Sequence, residues 1–456
     1  MNHLQQTMFK RTCELSVFAL PLTASMFIQM FTGFFSMLMV ARLGENALAA
    51  GALAVSTYTT ISLVVLIFYA IGILISHKRG QEKELTEMGG IVRNGLWLAL
   101  LLMLPVGALL WYGDSILALF RQDANLIRLT RSYFHYAAFV MPPTFICMVI
   151  MQFFIGMGWP KISLYISVFL FPFMLLLSYA LILGKFGLPM LGLAGITAAL
   201  GILQSIVCVC LLGYLLIAKN IKKYAIFTGS LKPDFSLIKH IFLLGYPIGV
   251  QFGAELSAMT IATYLMGHFG VTALAASQIV SQYSMLVVMI ILGLSQSVTM
   301  LSSAAYGKKE IHLIQQYVWA AIYILSIILS VVVVIFIFFP KPLILFFSGH
   351  GSFDNNQLIH LSVIFFAISV VVLYADGIRH IISGGLRGLH DSKGPMRISI
   401  IAMWLVSLPV SYLVGFVCHG GPIGLRMGFL SGFIFAAIFL SLRIYKKLHL
   451  IKQNKI

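Results

Sequence analysis

The sequence predicts an all-α polytopic membrane protein with twelve transmembrane helices arranged in two pseudo-symmetric six-helix lobes. Three observations carry that prediction. First, 60% of the residues are hydrophobic and only 9% charged, with a mean hydropathy of +0.99, whereas a soluble domain carries roughly a quarter charged residues. Second, unbroken apolar runs of about 20 residues or more recur along the chain, long enough to cross a bilayer as helices. Third, the two halves of the chain repeat one another. A transmembrane barrel is excluded, because barrels need short alternating strands.

Taken in order, the predicted spans cover 14–40, 47–76, 88–111, 132–157, 160–183, 192–218, 241–267, 273–304, 316–339, 359–386, 397–417 and 424–444. Several exceed the hydrocarbon thickness and are expected to tilt or project. The first has no small-residue cleavage site behind a short apolar core and reads as an uncleaved helix.

The repeat fixes the organisation. Pro21 in span 1 matches Pro247 in span 7, Gly44 matches Gly270, and Leu48-Ala49-Ala50 matches Leu274-Ala275-Ala276. Every pair differs by 226 positions, and the polar stretches 77–84 and 304–310 fall in register too. With six spans per half, the lobes share orientation and are related by an axis along the membrane normal, an arrangement found in transporters. The expected division is an N-lobe over 1–218, a basic connector over 219–240 and a C-lobe over 241–456. A substrate path between the lobes, opened alternately to each side, follows by analogy with that architecture.

The net charge of +17 suggests a polyanion partner until it is sorted by loop. With both termini in the cytoplasm, the inner segments hold 22 of the 30 Lys and Arg residues, the outer loops hold seven, and Arg379 lies within a span. That bias is the positive-inside rule. It predicts a multi-pass protein of the cell (inner) membrane, with the lipid bilayer rather than nucleic acid as its surroundings. The five cysteines form no CxxC or Cys/His cluster and read as small buried hydrophobes. No GxSxG, P-loop or paired-acid motif points to an enzyme or an ATP-driven pump, and no cofactor is expected.

Thirteen acids remain to be placed, and eleven fall in loops or at span ends. Only Glu255 in span 7 and Asp376 in span 10 sit near mid-depth. An ionised carboxylate there costs about 2.5–3.5 kcal/mol, so each needs a cavity or a partner. Such a group can exchange a proton for a metal ion. The bland alternative is a structural acid pinned between helices, and Arg379, three residues after Asp376, is a candidate ion-pair partner. At about 100° per residue, Gly245, Gly249 and Gly253 fall within about 80° of one another, while Gln251 and Glu255 lie roughly 140° away. The glycines form a small-residue stripe suited to close packing, and Pro247 is placed to bend the helix. Gln251 and Glu255 then face a cavity. The repeat maps Glu255 onto Gln29, which shares a face of span 1 with Ser25, Thr32 and Ser36. Span 8 adds Gln278 and Gln282, four residues apart. Hydroxyls bonded to their own backbone are the plainer reading of the Ser and Thr members.

At these residues the chain resembles the multidrug and toxic compound extrusion (MATE) transporters. LPLTASMFIQMFTGFFSMLMVARLGENALAA (20–50) is similar to that family's first-span signature. GYPIGVQFGAE (245–255) with LAASQIVSQ (274–282) resembles spans seven and eight of the NorM-like branch. ADGIRHIISGGLRGLHDSKGPM (375–396) resembles its tenth span, and FFIGMGWPKISLYIS (153–167) the matching N-lobe segment. The resemblance covers essentially the whole chain in order. It implies two six-helix lobes around a central cavity and export of cationic amphipathic drugs in exchange for inward Na⁺ or H⁺, by a monomer. By position it implies a cation-coupling site at Glu255 and Asp376, with Tyr374 nearby, and Na⁺ as the metal bound by the two acids. Gln29, Ser36, Gln251, Gln278 and Gln282 are then expected to line the substrate cavity. The sequence departs from the pattern at Ser36, where bacterial members commonly have an Asp, and at Met174 and Ser178, which replace Asn residues of span 5. Coupling is therefore expected to run through the C-lobe alone. The rival reading is a lipid-linked precursor flippase of the same broad superfamily, which would need a basic cavity; a membrane-embedded enzyme or scaffold is disfavoured by the missing motif and by the repeat.

Overall fold

The computed structural model describes residues 3–82, 85–119, 123–227, 232–348 and 356–453. Two of the acids assigned to loops, Glu84 and Asp354, lie outside them, as does part of the connector, 228–231. Among the described residues there is no strand, and twelve helices are long and apolar enough to span a bilayer. In chain order they are α1 (Met8–Ala41), α2 (Asn46–Gly80), α3 (Leu85–Trp111), α4 (Ala124–Gly156), α5 (Lys161–Leu183), α6 (Ala194–Ile217), α7 (Phe235–Gly267), α8 (Val271–Gly307), α9 (Ile311–Phe338), α10 (Gln357–Gly388), α11 (Lys393–Val417) and α12 (Gly421–Ile451). They match the twelve predicted spans one for one. Most run further than the apolar runs alone, because helices continue into the polar margins.

The repeat is visible in backbone geometry. Gly44 and Gly270 immediately precede α2 and α8 with φ, ψ of 106°, 171° and 100°, 168°. That region is open essentially to glycine alone, so the same tight entry into a helix is built twice, 226 residues apart.

The chain divides into two compact units, one of residues 1–23 with 250–456 and the other of residues 24–249. Each boundary falls inside a long helix, α1 and α7, two residues beyond Pro21 or Pro247, and the two boundaries differ by the same 226 positions. Within the 24–249 unit, α4 is the central helix and packs on α2, α3 and α6. Within the other, α10 is central and packs on α8, α9 and α12, the equivalent set. The core around α10 includes Leu325, Phe365, Phe366, Ile381 and Leu440, all essentially inaccessible to solvent.

Two glycines of the α7 stripe, Gly245 and Gly249, pack closely as expected. A Cβ on Gly245 would stand 2.0 Å from the Ile67 carbonyl oxygen, and one on Gly249 3.3 Å from that of Leu63. Those two carbonyls belong to a 3₁₀ stretch of α2, Leu63–Phe68. The helix runs on unbroken through Pro247. The connector is tied down to α3, where Asn94 Oδ1 accepts the Asp234 amide at 2.8 Å and Arg93 donates to the Ile226 carbonyl at 3.3 Å.

Candidate functional site

Three helices of the 250–456 unit bring polar side chains to one buried point. From α7 come Gln251 and, one turn on, Glu255. From α10 come Asp376, Arg379, His380 and, two turns further, Arg387. From α11 comes Ser399, just before the helix widens into π-helical turns over Ile401–Ser407 and Leu413–Val417 around Pro409. Turns of that kind often accompany functional sites. None of these seven side chains is more than 8% exposed.

Arg379 is the hub. Its Nη1 donates to Glu255 Oε1 in a very short contact and its Nη2 to Glu255 Oε2 at 3.2 Å. The same Nη2 reaches Asp376 Oδ1 at 2.5 Å, and Nε reaches it at 3.1 Å. One guanidinium thus holds both deep carboxylates of the chain, the fork geometry that makes arginine suited to buried ion pairs. Gln251 Nε2 donates to Glu255 Oε1 at 2.9 Å and to Ser399 Oγ at 3.1 Å. Its own carbonyl accepts from Arg387 Nη2 at 2.8 Å. His380 Nε2 lies 2.9 Å from Arg379 Nη2. Since a guanidinium can only donate, that imidazole nitrogen accepts, which makes the ring the neutral Nδ1-protonated tautomer.

Aromatic faces close the cluster. Phe252 stacks on His380 with centroids 5.8 Å apart, and Arg387 lies over the same Phe252 ring at 5.5 Å. The Phe433 ring of α12 lies 5.5 Å from the Arg379 guanidinium carbon. Trp404 donates to the Ala254 carbonyl at 3.1 Å, fixing α11 against α7 beside Glu255. Two carboxylates are matched by two guanidinium groups, so the assembly has no net charge. Removing one partner alone would leave an uncompensated buried ion, a costly state.

The sequence-predicted residues are distributed unevenly. Glu255, Asp376 and Gln251 meet in this cluster, with Glu255 and Asp376 joined through Arg379. Tyr374 is half-buried and turns towards α9, where its hydroxyl donates to the Ser326 carbonyl at 3.4 Å. Gln278 and Gln282 are exposed on α8. In the 24–249 unit, Gln29 is exposed, while Ser25 shares a hydrogen bond with Ser163 at 3.1 Å. Ser36 and Ser178 are buried, and neither hydroxyl has a hydrogen-bond partner among the described residues.

Ser399, His380 and Arg387 were not anticipated. Arg387 has a signal: 376, 380, 383 and 387 follow the i, i+4, i+7, i+11 spacing of one helical face, but the predicted span ends at 386, one residue short of it. His380 is one of twelve histidines in the chain, and its position alone does not single it out. A lone serine on a third helix carries no signal at all.

The MatE family model matches residues 21–180 and 247–413, two segments whose starts again lie 226 apart. The chain is 30% identical to the Probable multidrug resistance protein NorM of Rhizobium meliloti strain 1021, over 90% of this chain and 88% of that protein. It is 28% identical to the protein of the same name from Pseudomonas aeruginosa, over 92% and 86%. Among solved structures, it superposes on an outward-facing multidrug resistance MATE family transporter of the MOP superfamily with a TM-score of 0.87 at 18% identity, covering 97% of each chain. It superposes on the eukaryotic MATE transporter AtDTX14 with a TM-score of 0.81 at 20% identity, covering 98% of this chain and all of that one. With both halves matched and the twelve-helix fold shared, the chain belongs to the MatE family of multidrug efflux transporters.

Proposed function

We propose that this protein is a secondary-active multidrug antiporter of the cell (inner) membrane, with both termini cytoplasmic. It exports cationic amphipathic compounds in exchange for inward Na⁺, with Glu255 and Asp376 as the coupling pair. The observation that carries this reading is the meeting of the two deep carboxylates of the chain, from helices 121 positions apart in sequence, in one buried cluster with Ser399. Carboxylate and hydroxyl oxygens are the donors that suit a hard cation. In the 24–249 unit, Ser36 stands where the family resemblance leads one to expect an acid, which leaves the coupling to the other unit. The names of the NorM relatives support multidrug substrates.

H⁺ is the second reading, favoured by His380, a neutral imidazole whose accepting nitrogen touches the central guanidinium. A flippase for anionic lipid precursors is disfavoured, because the guanidinium groups of the cluster are matched by its carboxylates.

The test is efflux by purified protein in liposomes with Na⁺ and pH gradients imposed separately. Glu255→Gln is expected to abolish gradient-driven efflux of a cationic dye while the protein remains folded. Wild-type efflux from that variant would remove Glu255 from the mechanism, and drive by the pH gradient alone would assign coupling to H⁺.

A further inference from the structure

We infer that Arg379 is a resident cation of the coupling site, tethered where a transported ion would be held and displaced each time one is loaded. The inference rests on the coupling role proposed above for Glu255 and Asp376. Its first ground is occupancy. All three guanidinium nitrogens are engaged with the two carboxylates, and Arg379 is only 1% exposed. A Na⁺ ion seeking Glu255 Oε1, Glu255 Oε2 or Asp376 Oδ1 finds each already bonded to the guanidinium.

The second ground is charge. With two carboxylates and two guanidinium groups the cluster is balanced, so an ion reaching the carboxylates while Arg379 still holds them would put two positive charges in contact with the same oxygens. Buried like charges at such separations repel strongly. Loading therefore breaks the Arg379 contacts rather than adding to them.

The third ground is that the site survives the departure. Glu255 is held independently by Gln251, which is itself anchored by Arg387 and Ser399. The oxygens of Glu255 and Ser399 stay together when the guanidinium leaves, and Asp376 stands one turn away on the same helix as Arg379. Arg379 also has somewhere to go. The Phe433 ring face lies alongside it. One turn further along α10, Ser383 Oγ is buried without a hydrogen-bond partner among the described residues. An arginine that gives up the carboxylates thus retains a cation–π contact and gains an acceptor. In this account Arg379 sets how much Na⁺ is needed to load the site, and it leaves the site charge-balanced when no ion is bound.

The experiment is thermal unfolding of the purified full-length protein in detergent, titrated with NaCl against choline chloride at constant ionic strength. A ligand that binds only the folded state raises its stability with concentration. Arg379→Gln is expected to lower the Na⁺ midpoint at least about ten-fold relative to wild type, because the competing charge is gone. Arg379→Lys keeps the charge but cannot form the fork, and is expected to lower it at least about three-fold. The lysine variant carries the test if the glutamine variant is not folded. An unchanged midpoint, or no Na⁺ stabilisation, in a folded Arg379 variant overturns the inference. The coupling reading fails separately: Glu255→Gln would then keep wild-type efflux. Loss of efflux in Glu255→Gln with an unchanged midpoint in the Arg379 variants would leave the coupling pair standing and remove only the resident cation.

Discussion

Replacing Asp391 by asparagine tests how the framework of the cluster is held. Asp391 lies between α10 and α11 and is 8% exposed. Its Oδ2 accepts from Arg443 Nε of α12 at 2.8 Å, and its Oδ1 accepts from Arg443 Nη2 at 3.2 Å and from the Gly394 amide at 3.1 Å. Lys447 Nζ adds an ion pair at 3.4 Å. A side chain on Gly394 would stand 2.0 Å from Arg443 Nε, so the bare backbone there is what lets the arginine approach. One carboxylate thereby ties together the three helix ends that support Arg379, Ser399 and Phe433. Asparagine keeps an acceptor for Gly394 but loses the charge seen by both cations. Charged hydrogen bonds contribute about 1.5–3 kcal/mol. The half-exposed Arg443 and partly exposed Lys447 are screened, which brings the expected loss to about 2 kcal/mol. For a unit of this size that is a fall in Tm of about 4–8 °C.

The pH dependence has a definite sign. Burial acts to raise the Asp391 pKa, but the bonds and charges of Arg443 and Lys447, with the Gly394 amide, outweigh it and hold it below its ordinary value of 3.8. A depressed carboxyl pKa stabilises the fold above its unfolded value, and that contribution is lost as pH falls through the folded value. The stability gap between wild type and Asp391→Asn should stay constant from about pH 7 to 5 and close below about pH 4. Thermal unfolding in detergent across that range measures it. A gap under about 0.5 kcal/mol, the range of ordinary surface substitutions, would refute the reasoning. So would a gap that persists unchanged to the lowest pH.

Gly245→Ala should be destabilising, because its Cβ would meet the Ile67 backbone and not a side chain that can yield. A cost of about 1–3 kcal/mol is expected in thermal unfolding, and wild-type stability would contradict the close approach of α7 to α2. Tyr374→Phe removes a hydroxyl that bonds the Ser326 carbonyl and none of the cluster, so liposome efflux should stay within about three-fold of wild type. A loss as deep as that expected of Glu255→Gln would instead put the tyrosine in the coupling machinery.

How far the sequence reaches can be traced through individual residues. The helices were legible because each apolar run is unbroken, and the repeat because Gly44 and Gly270 answer the same backbone demand. Glu255 and Asp376 stood out by depth alone. Arg379 could be paired with Asp376 from their spacing on one helix, but its second partner, Glu255, lies 124 positions away. Helical periodicity says which residues share a face; it does not say what that face meets. That is why Gln251 and the exposed Gln278 looked alike beforehand, although one is now locked between Arg387 and Ser399. Arg387 was hidden for a different reason: hydropathy falls before the helix ends, and α10 carries the residue into the protein.

The charge balance around Arg379 has an electrical consequence. Moving one elementary charge across the membrane potential is worth about 2.3 kcal/mol per 100 mV. A cluster of two carboxylates and two guanidinium groups feels no net force from that field, so under the proposed exchange its reorientation without an ion is indifferent to voltage. Loading a cation without ejecting a charge makes the same movement voltage-sensitive by one full unit. In the proposed exchange the membrane potential drives the ion-loaded movement inward and opposes, by the same amount per charge, the outward movement of a cationic compound.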